Sequence, residues 1–286
     1  MADIKLYLEY IGLLTQVNSA SIELLNEVVT AHLAKFPYQN TDLFLQGLLE
    51  IPKRTLPDLS IDTILNQFVI EKRSGYCFQN NELLAWALEE LGFKVNRCLV
   101  KPLIQLRNKI NEELFEKIEF SHEVLIVELI GDKWLIDTGF ADYSLRKPLK
   151  VIEGEQDLLD DKYNLTLNKN ILRLETYTNK GWLCLADIDI TPKSAHEIGL
   201  ATQNFFITEQ TFRIRDDYYK IASVTPTKRK VICMFKDTHI GFFKSYSRDT
   251  YKEKEINTGT ELQELASKKF GIKVDKMIMS TVFKSS

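Results

Sequence analysis

The stretch "EKRSGYCFQN", residues 71–80, places a cysteine where a helix is predicted to begin. Apolar residues recur at helical spacing over 77–91, and Gly92 ends the pattern. A helix N-terminus stabilises an anion, and the thiolate is the nucleophilic form of cysteine. Cys77 is therefore either a small buried apolar side chain or a nucleophile. The Arg-Ser-Gly sequence shortly before it favours a nucleophile, because small residues let a ligand approach the sulfur.

The composition is that of an ordinary globular protein of 286 residues, with 44% hydrophobic and 27% charged side chains. Such a chain buries one large core or two to three smaller ones. A formal net charge of −3 excludes a general electrostatic attraction to nucleic acid or anionic membranes. The run Lys228-Arg229-Lys230 is interpreted as a solvated strand flank, with contact to an anionic ligand as the alternative.

The first residues, "MADIKLYLEYIGLL", interrupt apolar side chains with charged ones, as an amphipathic helix does, and lack the apolar core of a secretory signal. Nowhere do about 18 apolar residues run together, as a membrane-spanning helix requires. These features predict a soluble cytoplasmic protein. The four cysteines, at positions 77, 98, 184 and 233, lack CxxC spacing, so we expect reduced thiols and no metal site.

Hydrophobic periodicity divides the chain into three predicted parts, 1–92, 93–200 and 201–286. The helical patterns of the first part lie over 19–35, 61–71 and 77–91. The second part changes to strand-like alternation in "FKVNRCLV", "EVLIVELI", "KWLIDTGF" and "ILRLETYT". The third part has strand-like patterns in "NFFITEQTFRIR", "KVICMFKD" and "HIGFFKSY", followed by a helix over 260–270. This order predicts an α+β fold.

A cysteine nucleophile needs a base, and the chain has four histidines. His32 lies in the apolar stripe of a helix, and the two C-terminal histidines lack an acidic residue at a useful spacing. His122 opens an apolar strand, and Asp137 ends the strand that returns from a predicted tight turn. Contributed by one helix and two adjacent strands, these side chains are the parts of a Cys-His-Asp triad, with a structural histidine as the equal alternative.

The predicted turn does not by itself bring the histidine and the aspartate together. A two-residue turn at Gly131-Asp132, a pair suited to a hairpin, places Asp137 opposite Ile126. His122 then lies on the same face but four residues away, on the order of 13 Å along the strand. That separation is too long for a hydrogen bond. The two side chains meet only if a bulge or a bend changes the register, or if the turn is not of two residues.

Several motifs resemble those of the arylamine N-acetyltransferase family. "RSGYCFQNNELLAWALEELGF" is similar to the family's Arg-Gly-Gly, aromatic, Cys signature and the helix that follows it. "SHEVLIVELIGDKWLIDTGFADYSLRKPL" resembles the family's His and Asp segment. "FPYQNTDLF" is similar to its Pro-Phe-Glu-Asn-Leu element, and "LASKKFGIKV" to its closing helix and strand. Together these motifs cover most of the chain in the family's order.

The resemblance implies a fold and a set of site residues. The implied fold is a helical bundle, a β-barrel and an α/β lid, with a cysteine-protease-like core. Cys77 is implied as the acylated nucleophile, His122 as its base and Asp137 as the residue that fixes the histidine tautomer. The implied pocket positions are Tyr38 and Phe140, with a phenylalanine of the pair Phe205 and Phe206 as the third.

The resemblance also implies a reaction. Acetyl-coenzyme A is the implied cosubstrate and a small arylamine or hydrazine the implied acceptor, in a ping-pong mechanism without a metal. Two enzymatic alternatives use the same triad, a thiol hydrolase or transglutaminase-like peptidase and a polyketide amide synthase. A binding protein with an inactive triad, retaining coenzyme A or aromatic ligands, is a third alternative of a different class.

Some positions depart from the family's pattern. Ser74 replaces the second residue of Arg-Gly-Gly, Gln79 replaces a common Glu, Thr138 replaces Val and Ala141 replaces the last Gly of Gly-Phe-Gly. Side chains in place of glycine are expected to narrow the cleft. The segment 97–121 is also longer and more charged than the family's usual connection, which we interpret as a surface excursion, with a specificity loop as the alternative.

Overall fold

The computed structural model describes residues 2–13, 19–49, 55–104, 118–207, 217–236 and 238–283. The first part of the chain is helical. Its helices are α1 (Ile4–Ile11), α2 (Ile22–Lys35), α3 (Thr41–Leu48), α4 (Ile61–Leu65), which continues as a π-helical turn over Asn66–Ile70, and α5 (Cys77–Glu90). The three helices predicted from periodicity are therefore present, with small shifts at their ends.

Local capping and burial explain where these helices lie. The Ser21 hydroxyl accepts a hydrogen bond from the backbone N–H of Leu24 and so caps α2. Gly92 follows α5 with a φ of 81°, a left-handed conformation that favours glycine. Helix α5 is buried along most of its length, and its fully buried apolar residues are Phe78, Leu83, Leu84, Ala85, Ala87 and Leu88. It forms the centre of the N-terminal core.

The middle part forms a near-closed barrel of eight antiparallel strands in the order β5-β4-β3-β2-β9-β8-β7-β6. The strands are β2 (Lys94–Pro102), β3 (His122–Leu129), β4 (Asp132–Ile136), β5 (Leu149–Lys150), β6 (Gly154–Leu158), β7 (Asp161–Asn168), β8 (Ile171–Thr178) and β9 (Gly181–Asp189). Strand β3 separates two cores. Val124 and Ile126 pack in the barrel core, whereas Leu125 and Val127 pack against the helices.

The β3–β4 hairpin differs from its predicted register in an informative way. The two-residue turn is Ile130-Gly131, with φ values of 52° and 80°, and Leu129 pairs with Asp132. A β-branched residue at positive φ is uncommon, which is why the sequence favoured the turn one residue later. The observed register moves the position opposite Asp137 from Ile126 to Val124. It therefore brings Asp137 two residues closer to the start of β3.

The last part contains α6 (Ala195–Ile207) and a five-stranded antiparallel sheet with the order β1-β10-β11-β12-β13. The strands are β1 (Tyr38–Gln39), β10 (Tyr218–Val224), β11 (Arg229–Phe235), β12 (Gly241–Tyr246) and β13 (Tyr251–Ile256), and helices α7 (Gly259–Phe270) and α8 (Lys276–Val282) follow. The strand prediction for "NFFITEQTFRIR" is wrong over 204–207, which are helical, and its remaining residues up to 215 lie outside the described residues. Helix α6 crosses residue 200 and β1 comes from the first part, so the three predicted parts interlock.

The basic run at 228–230 is not a solvated strand flank throughout. Arg229 is only 5% exposed, and its guanidinium donates hydrogen bonds to Asp161 and to the backbone carbonyls of Asp142 and Ser144. Lys228 is exposed, as predicted. The middle residue of the run therefore joins the barrel to the C-terminal sheet.

The predicted α+β fold class is confirmed: N-terminal helices, a near-closed barrel, and a C-terminal sheet with helices follow one another along the chain. Within the described residues, no helix is both long enough and apolar enough to cross a bilayer. The triad candidates lie where the helical part meets the barrel, and Tyr38, Phe205 and Phe206 lie on β1 and α6.

Candidate active site

Cys77 is the first residue of helix α5, and Tyr76 forms the N-cap with an extended backbone. The first backbone N–H groups of a helix have no carbonyl partner within it, and they carry the positive end of the helix dipole. The Cys77 residue is 6% exposed and belongs to an apolar cluster between the helices, β2 and the C-terminal sheet. The thiol therefore lies in a nearly dry environment whose nearest backbone dipoles favour an anion.

His122 and Asp137 are in direct contact. His122 opens β3, Asp137 follows β4, and the Nε2 atom of the imidazole lies 2.7 Å from Oδ2 of the carboxylate. Both residues are 3% exposed. The ring also forms a side-chain hydrogen bond with Cys77. Because Nε2 faces Asp137, the other ring nitrogen, Nδ1, is the atom available to the thiol.

The surroundings of His122 favour its charged form. Burial alone would lower the pKa of His122, but the charge and hydrogen bond of Asp137, together with the contact to Cys77, raise it to about 10. An imidazolium therefore persists at neutral pH between the carboxylate and the sulfur. Such a cation beside a thiol favours the thiolate.

Asn81, one turn into α5 from Cys77, holds the histidine and aspartate strands in place. Its amide nitrogen donates to the Glu123 carbonyl at 2.5 Å and to Oδ1 of Asp137 at 3.2 Å. Its amide oxygen accepts from the backbone N–H and the hydroxyl of Thr138, both at 3.0 Å. The motifs in the sequence did not point to Asn81 as a site residue. Its signal was a polar residue four positions after Cys77, on the same face of the predicted helix as the nucleophile.

Gly139 allows the strand end to reach the nucleophile's helix. A Cβ atom at this position would lie 2.6 Å from the Cys77 carbonyl oxygen and 2.7 Å from the Cys77 Cα. The backbone N–H of Gly139 donates to Oδ1 of Asp137 at 2.9 Å. The Asp-Thr-Gly sequence therefore both orients the carboxylate and permits its close approach to α5.

The departures from the family's pattern have local explanations. Thr138 supplies the hydroxyl that bonds Asn81, and the buried Ser74 hydroxyl accepts from the Gln39 side chain at 3.4 Å. Ala141 adopts a left-handed backbone with φ at 54°, a conformation that glycine adopts without strain and alanine adopts at a cost of about 1 kcal/mol. Most of the longer connection, 105–117, lies outside the described residues.

Aromatic side chains surround Cys77 and His122. The ring of Phe140 stacks on His122 at 4.8 Å between centroids and 22° between planes. Tyr38, Phe205 and Phe206 are buried in the same apolar cluster as Cys77. Both phenylalanines pack against Tyr76, at 6.0 and 6.5 Å. The structure thus brings all four aromatic candidates to one place, although the sequence could name only one of the Phe pair as the third.

The other cysteines and histidines lie in different settings. Burial raises the pKa of the Cys98 thiol to about 12 and that of Cys184 to about 11. Burial also lowers the pKa of His32 to about 3, and Tyr7 lies 2.9 Å from this neutral ring. The part of the chain that the structure describes contains no group of three or more His, Cys, Asp or Glu side chains arranged to hold a metal ion.

Comparison with known proteins agrees with this geometry. A family model described as N-acetyltransferase matches residues 21–279. Arylamine N-acetyltransferase 2 of Macaca mulatta is 26% identical over 200 residues, which are 68% of this chain and 64% of the macaque protein. Arylamine N-acetyltransferase 2 of Homo sapiens is 25% identical over 279 residues, which are 91% of this chain and 89% of the human protein.

A solved structure with a similar fold comes from a protein of the same kind. The structure of Mycobacterium marinum arylamine N-acetyltransferase in complex with CoA is 19% identical, covers 99% of both chains and aligns with a TM-score of 0.81. At that identity the likeness concerns the fold. Since the family model spans nearly the whole sequence, the chain belongs to the arylamine N-acetyltransferase family.

Proposed function

We propose that this protein transfers an acetyl group from acetyl-coenzyme A to an arylamine or hydrazine through an acyl-cysteine at Cys77. The observation that carries the proposal is the contact of the Cys77 thiol with His122, whose Nε2 lies 2.7 Å from Asp137. The M. marinum relative of the same fold holds CoA, which supports coenzyme A as the acyl carrier. The assigned roles are nucleophile for Cys77, acid and base for His122, and orienting acceptor for Asp137.

In the first half-reaction, the thiolate attacks the thioester carbonyl carbon and forms a tetrahedral intermediate. The free backbone N–H groups at the start of α5 are suited to stabilise its oxyanion. The bond between that carbon and the coenzyme A sulfur then breaks, and the leaving thiolate takes the proton of the His122 imidazolium. The products are acetyl-Cys77, neutral imidazole and coenzyme A.

In the second half-reaction, the acceptor nitrogen attacks the acyl-cysteine. Neutral His122 accepts the proton that the nitrogen loses, and the Cys77 sulfur leaves as the thiolate, so the original ion pair is restored. Asp137 keeps Nδ1 directed at the reacting atoms because it holds Nε2–H. No oxidant, reductant or metal is needed to balance either step.

The apolar surroundings of the thiol favour an aromatic acceptor over water. Tyr38, Phe140, Phe205 and Phe206 present ring faces and edges near Cys77 and His122. Such rings bind a planar apolar amine by stacking, and a nearly dry site slows hydrolysis of the acyl-cysteine. These four residues are therefore assigned to acceptor binding, and they argue against a thiol hydrolase.

Intact-protein mass spectrometry tests the proposal directly. On mixing with acetyl-coenzyme A, the wild-type protein should gain the mass of one acetyl group, and addition of an arylamine should remove it with formation of the amide. Cys77→Ala should gain no mass, whereas Cys98→Ala serves as the matched control and should behave as wild type. Adduct loss that is equally fast without an amine would instead indicate a hydrolase. Absence of an adduct on Cys77 would overturn the assignment.

A further inference from the structure

A second acid lies beside the site and has no role in the proposed mechanism. Glu123 follows His122 in β3, so its side chain points to the opposite face of the strand, towards helix α5. It is 0% exposed. Among the described residues, no donor reaches either carboxyl oxygen of Glu123. A fully buried carboxylate without donors is strongly unfavourable, so this group requires an explanation.

The neighbours of Glu123 already share one positive charge. Arg97 of β2 donates from Nε to both carboxylate oxygens of Glu82, at 2.9 and 3.0 Å, and from Nη1 to Glu89 at 2.7 Å. One guanidinium thus faces two carboxylates before Glu123 is counted. A third negative charge, on the fully buried Glu123 carboxyl, would have no cation of its own. Glu123 is therefore expected to be neutral, with its own proton available to the adjacent Glu82 carboxylate.

The electrostatics support this state. Burial raises the pKa of Glu123 well above its ordinary value, the Glu82 carboxylate raises it further, and Arg97 opposes the shift. The titratable and charged groups around Glu123 are Tyr76, Cys77 and Glu82 from the helix side, and Arg97 from the same face of strand β2. Cys98 of β2 lies behind them on the barrel face of the sheet. Cys77 is among the groups that disfavour a charge on Glu123. By reciprocity, a charge on Glu123 disfavours the Cys77 thiolate.

We propose that Glu123 is a protonated positioning residue. Its neutral carboxyl donates a hydrogen bond to Glu82 and thereby holds helix α5, which carries the thiol, at a fixed distance from strand β3, which carries the imidazole. The inference rests on the proposed role of Cys77 and His122.

The placement of Glu123 makes it effective in this role. Glu82 lies five residues after Cys77 in α5, and Glu123 lies next to His122 in β3, so the carboxyl contact joins the two elements within one or two turns of the reacting atoms. The backbone carbonyl of the same residue accepts the 2.5 Å hydrogen bond from Asn81. A displacement of about 1 Å between nucleophile and base is enough to lower a rate by about 10²-fold. Both the side chain and the peptide of Glu123 oppose such a displacement.

Two substitutions distinguish the hydrogen bond that Glu123 donates from the space that its side chain fills. Glu123→Gln keeps a neutral donor towards Glu82, whereas Glu123→Leu removes the donor and keeps the site apolar. We expect Leu to lower the iodoacetamide alkylation rate of Cys77 and the acetyl-transfer kcat by about tenfold or more, and Gln to restore most of that loss. Glu128→Gln on the exposed end of the same strand is the matched control and should leave both rates within about twofold of wild type.

An infrared spectrum tests directly whether the Glu123 carboxyl is protonated. The wild-type protein at neutral pH should show the carbonyl band of a protonated carboxylic acid in a dry site, and Glu123→Gln should lack it. A raised pKa on a buried acid also means that the folded state holds this proton more tightly than the unfolded state does. The wild type therefore loses stability as pH rises above about 4.5, whereas the Gln variant has no such proton to lose. The melting temperature of the Gln variant relative to wild type should rise by a few degrees between about pH 5 and pH 8.

The outcomes distinguish this inference from the proposed reaction. Alkylation and infrared spectra need no acetyl-coenzyme A, so they test Glu123 even if the protein transfers another acyl group. If the protonated band is absent, or if a folded Leu variant alkylates at the wild-type rate, Glu123 is not a positioning residue. If the Leu variant does not fold, the Gln variant provides the test. The proposal is overturned if the difference in melting temperature between the Gln variant and wild type does not change with pH, or if the Gln variant loses tenfold in alkylation rate.

Discussion

Two buried charged clusters join the parts of this molecule, and they differ in how completely their charged groups are paired. At the junction of the barrel and the C-terminal sheet, Arg229 and Arg146 converge on Asp161. Their remaining donors reach Tyr163 and the backbone carbonyls of Asp142, Ser144, Thr225 and Pro226. Two positive charges and one negative charge are held by partners on three different segments. This cluster is a structural joint.

The cluster at the junction of α5 and the barrel is less completely paired. His122 bonds Asp137 through one nitrogen, and its other nitrogen faces a thiol that lies among apolar and aromatic side chains. The neighbouring carboxyl of Glu123 has no donor among the described residues. Buried groups with spare bonding capacity are costly for stability and available for chemistry. The difference in pairing, more than the amount of buried charge, separates the candidate site from the joint.

The largest effect on the candidate site is expected at Cys77. Cys77→Ser should lower acetyl transfer by about 10³-fold or more, because a serine hydroxyl is not ionised beside an imidazolium, while the fold should be kept since the shape barely changes. Steady-state transfer to an arylamine and a thermal melt give the two readouts. Single alanine or serine substitutions at Cys98, Cys184 and Cys233 should leave most of the activity. A selective loss at one of those three would identify a different nucleophile.

The structural joint should respond in the opposite way. Arg229→Met removes one partner of a buried ion pair and leaves carbonyl oxygens unpaired, so we expect a loss of about 3–5 kcal/mol in the free energy of unfolding. That loss is about 10²- to 10⁴-fold in the folding equilibrium, and the kcat of the remaining folded protein should change little. Denaturant titration and active-site-normalised turnover separate the two effects. Lys228→Met, on the exposed side of the same run, is the control, and equal destabilisation by both would contradict the joint.

Asp137→Asn should affect the chemistry with less effect on the fold. Oδ1 of Asp137 accepts from Gly139 N–H and from Asn81, which fixes the amide oxygen of an Asn variant on that side and turns its NH₂ group towards His122. The imidazole must then present an acceptor to the amide, so it carries its proton on the wrong nitrogen. The same tautomer error in a serine protease costs about 10⁴-fold in kcat, and for a preformed ion pair we expect a loss of about 10²-fold in turnover.

The pH dependence of the same variant sharpens the test. The raised pKa of His122 contributes stability that is present below about 6.5 and is lost as pH rises through about 10. Without the Asp137 charge, the pKa of His122 falls, so the alkaline loss of the imidazolium should begin at lower pH. Cys77 alkylation followed against pH measures this shift. A folded variant with an unchanged profile and near-normal turnover would mean that the triad is a dyad.

The sequence contained most of the fold and the three central residues of the candidate site, for identifiable reasons. The helix from Cys77 and the strand pattern of "ILRLETYT" show strong periodicity and match α5 and β8. The turn of the β3–β4 hairpin was predicted one residue late. Turn preferences favour Gly131-Asp132 over the observed Ile130-Gly131, because isoleucine rarely adopts a positive φ. Shifting the turn by one residue shifts the cross-strand pairing by two residues. The predicted register therefore kept His122 and Asp137 apart, and only the family resemblance predicted that they meet.

Other features depend on distant contacts that periodicity does not encode. Arg229 resembles its solvated neighbours in the sequence, and only the approach of Asp161 and two loop carbonyls buries it. Glu123 has the pattern of a polar strand position, although Glu82 and Arg97 lie against it in the folded chain. Residues 204–207 are rich in apolar side chains, which suit a strand as well as a buried helix, and their neighbours in α6 decide the outcome.

The smallest effect is expected at Phe140, whose ring stacks on His122. An aromatic face near a cation stabilises the charged form by about 0.5–1.5 kcal/mol, or about two- to tenfold. Phe140→Leu should therefore lower Cys77 alkylation at neutral pH by that factor, because a less stable imidazolium supports less thiolate. The pKa of His122 should fall by up to about one unit, in the direction expected for Asp137→Asn but by less.

A second measurement shows whether Phe140 acts on the histidine or on the acceptor. If the ring only lines the acceptor pocket, the Leu variant should raise KM for the arylamine and leave alkylation unchanged, since iodoacetamide does not need that pocket. If it acts through His122, alkylation and the rate of acyl-enzyme formation fall together before any amine is added. Tyr177→Leu removes an edge-to-face aromatic contact, 5.3 Å from Trp182 and far along the chain from the site, and should change neither quantity. A loss confined to KM would therefore assign Phe140 to the pocket alone and would leave Asp137 and Cys77 as the groups that hold the charge on His122.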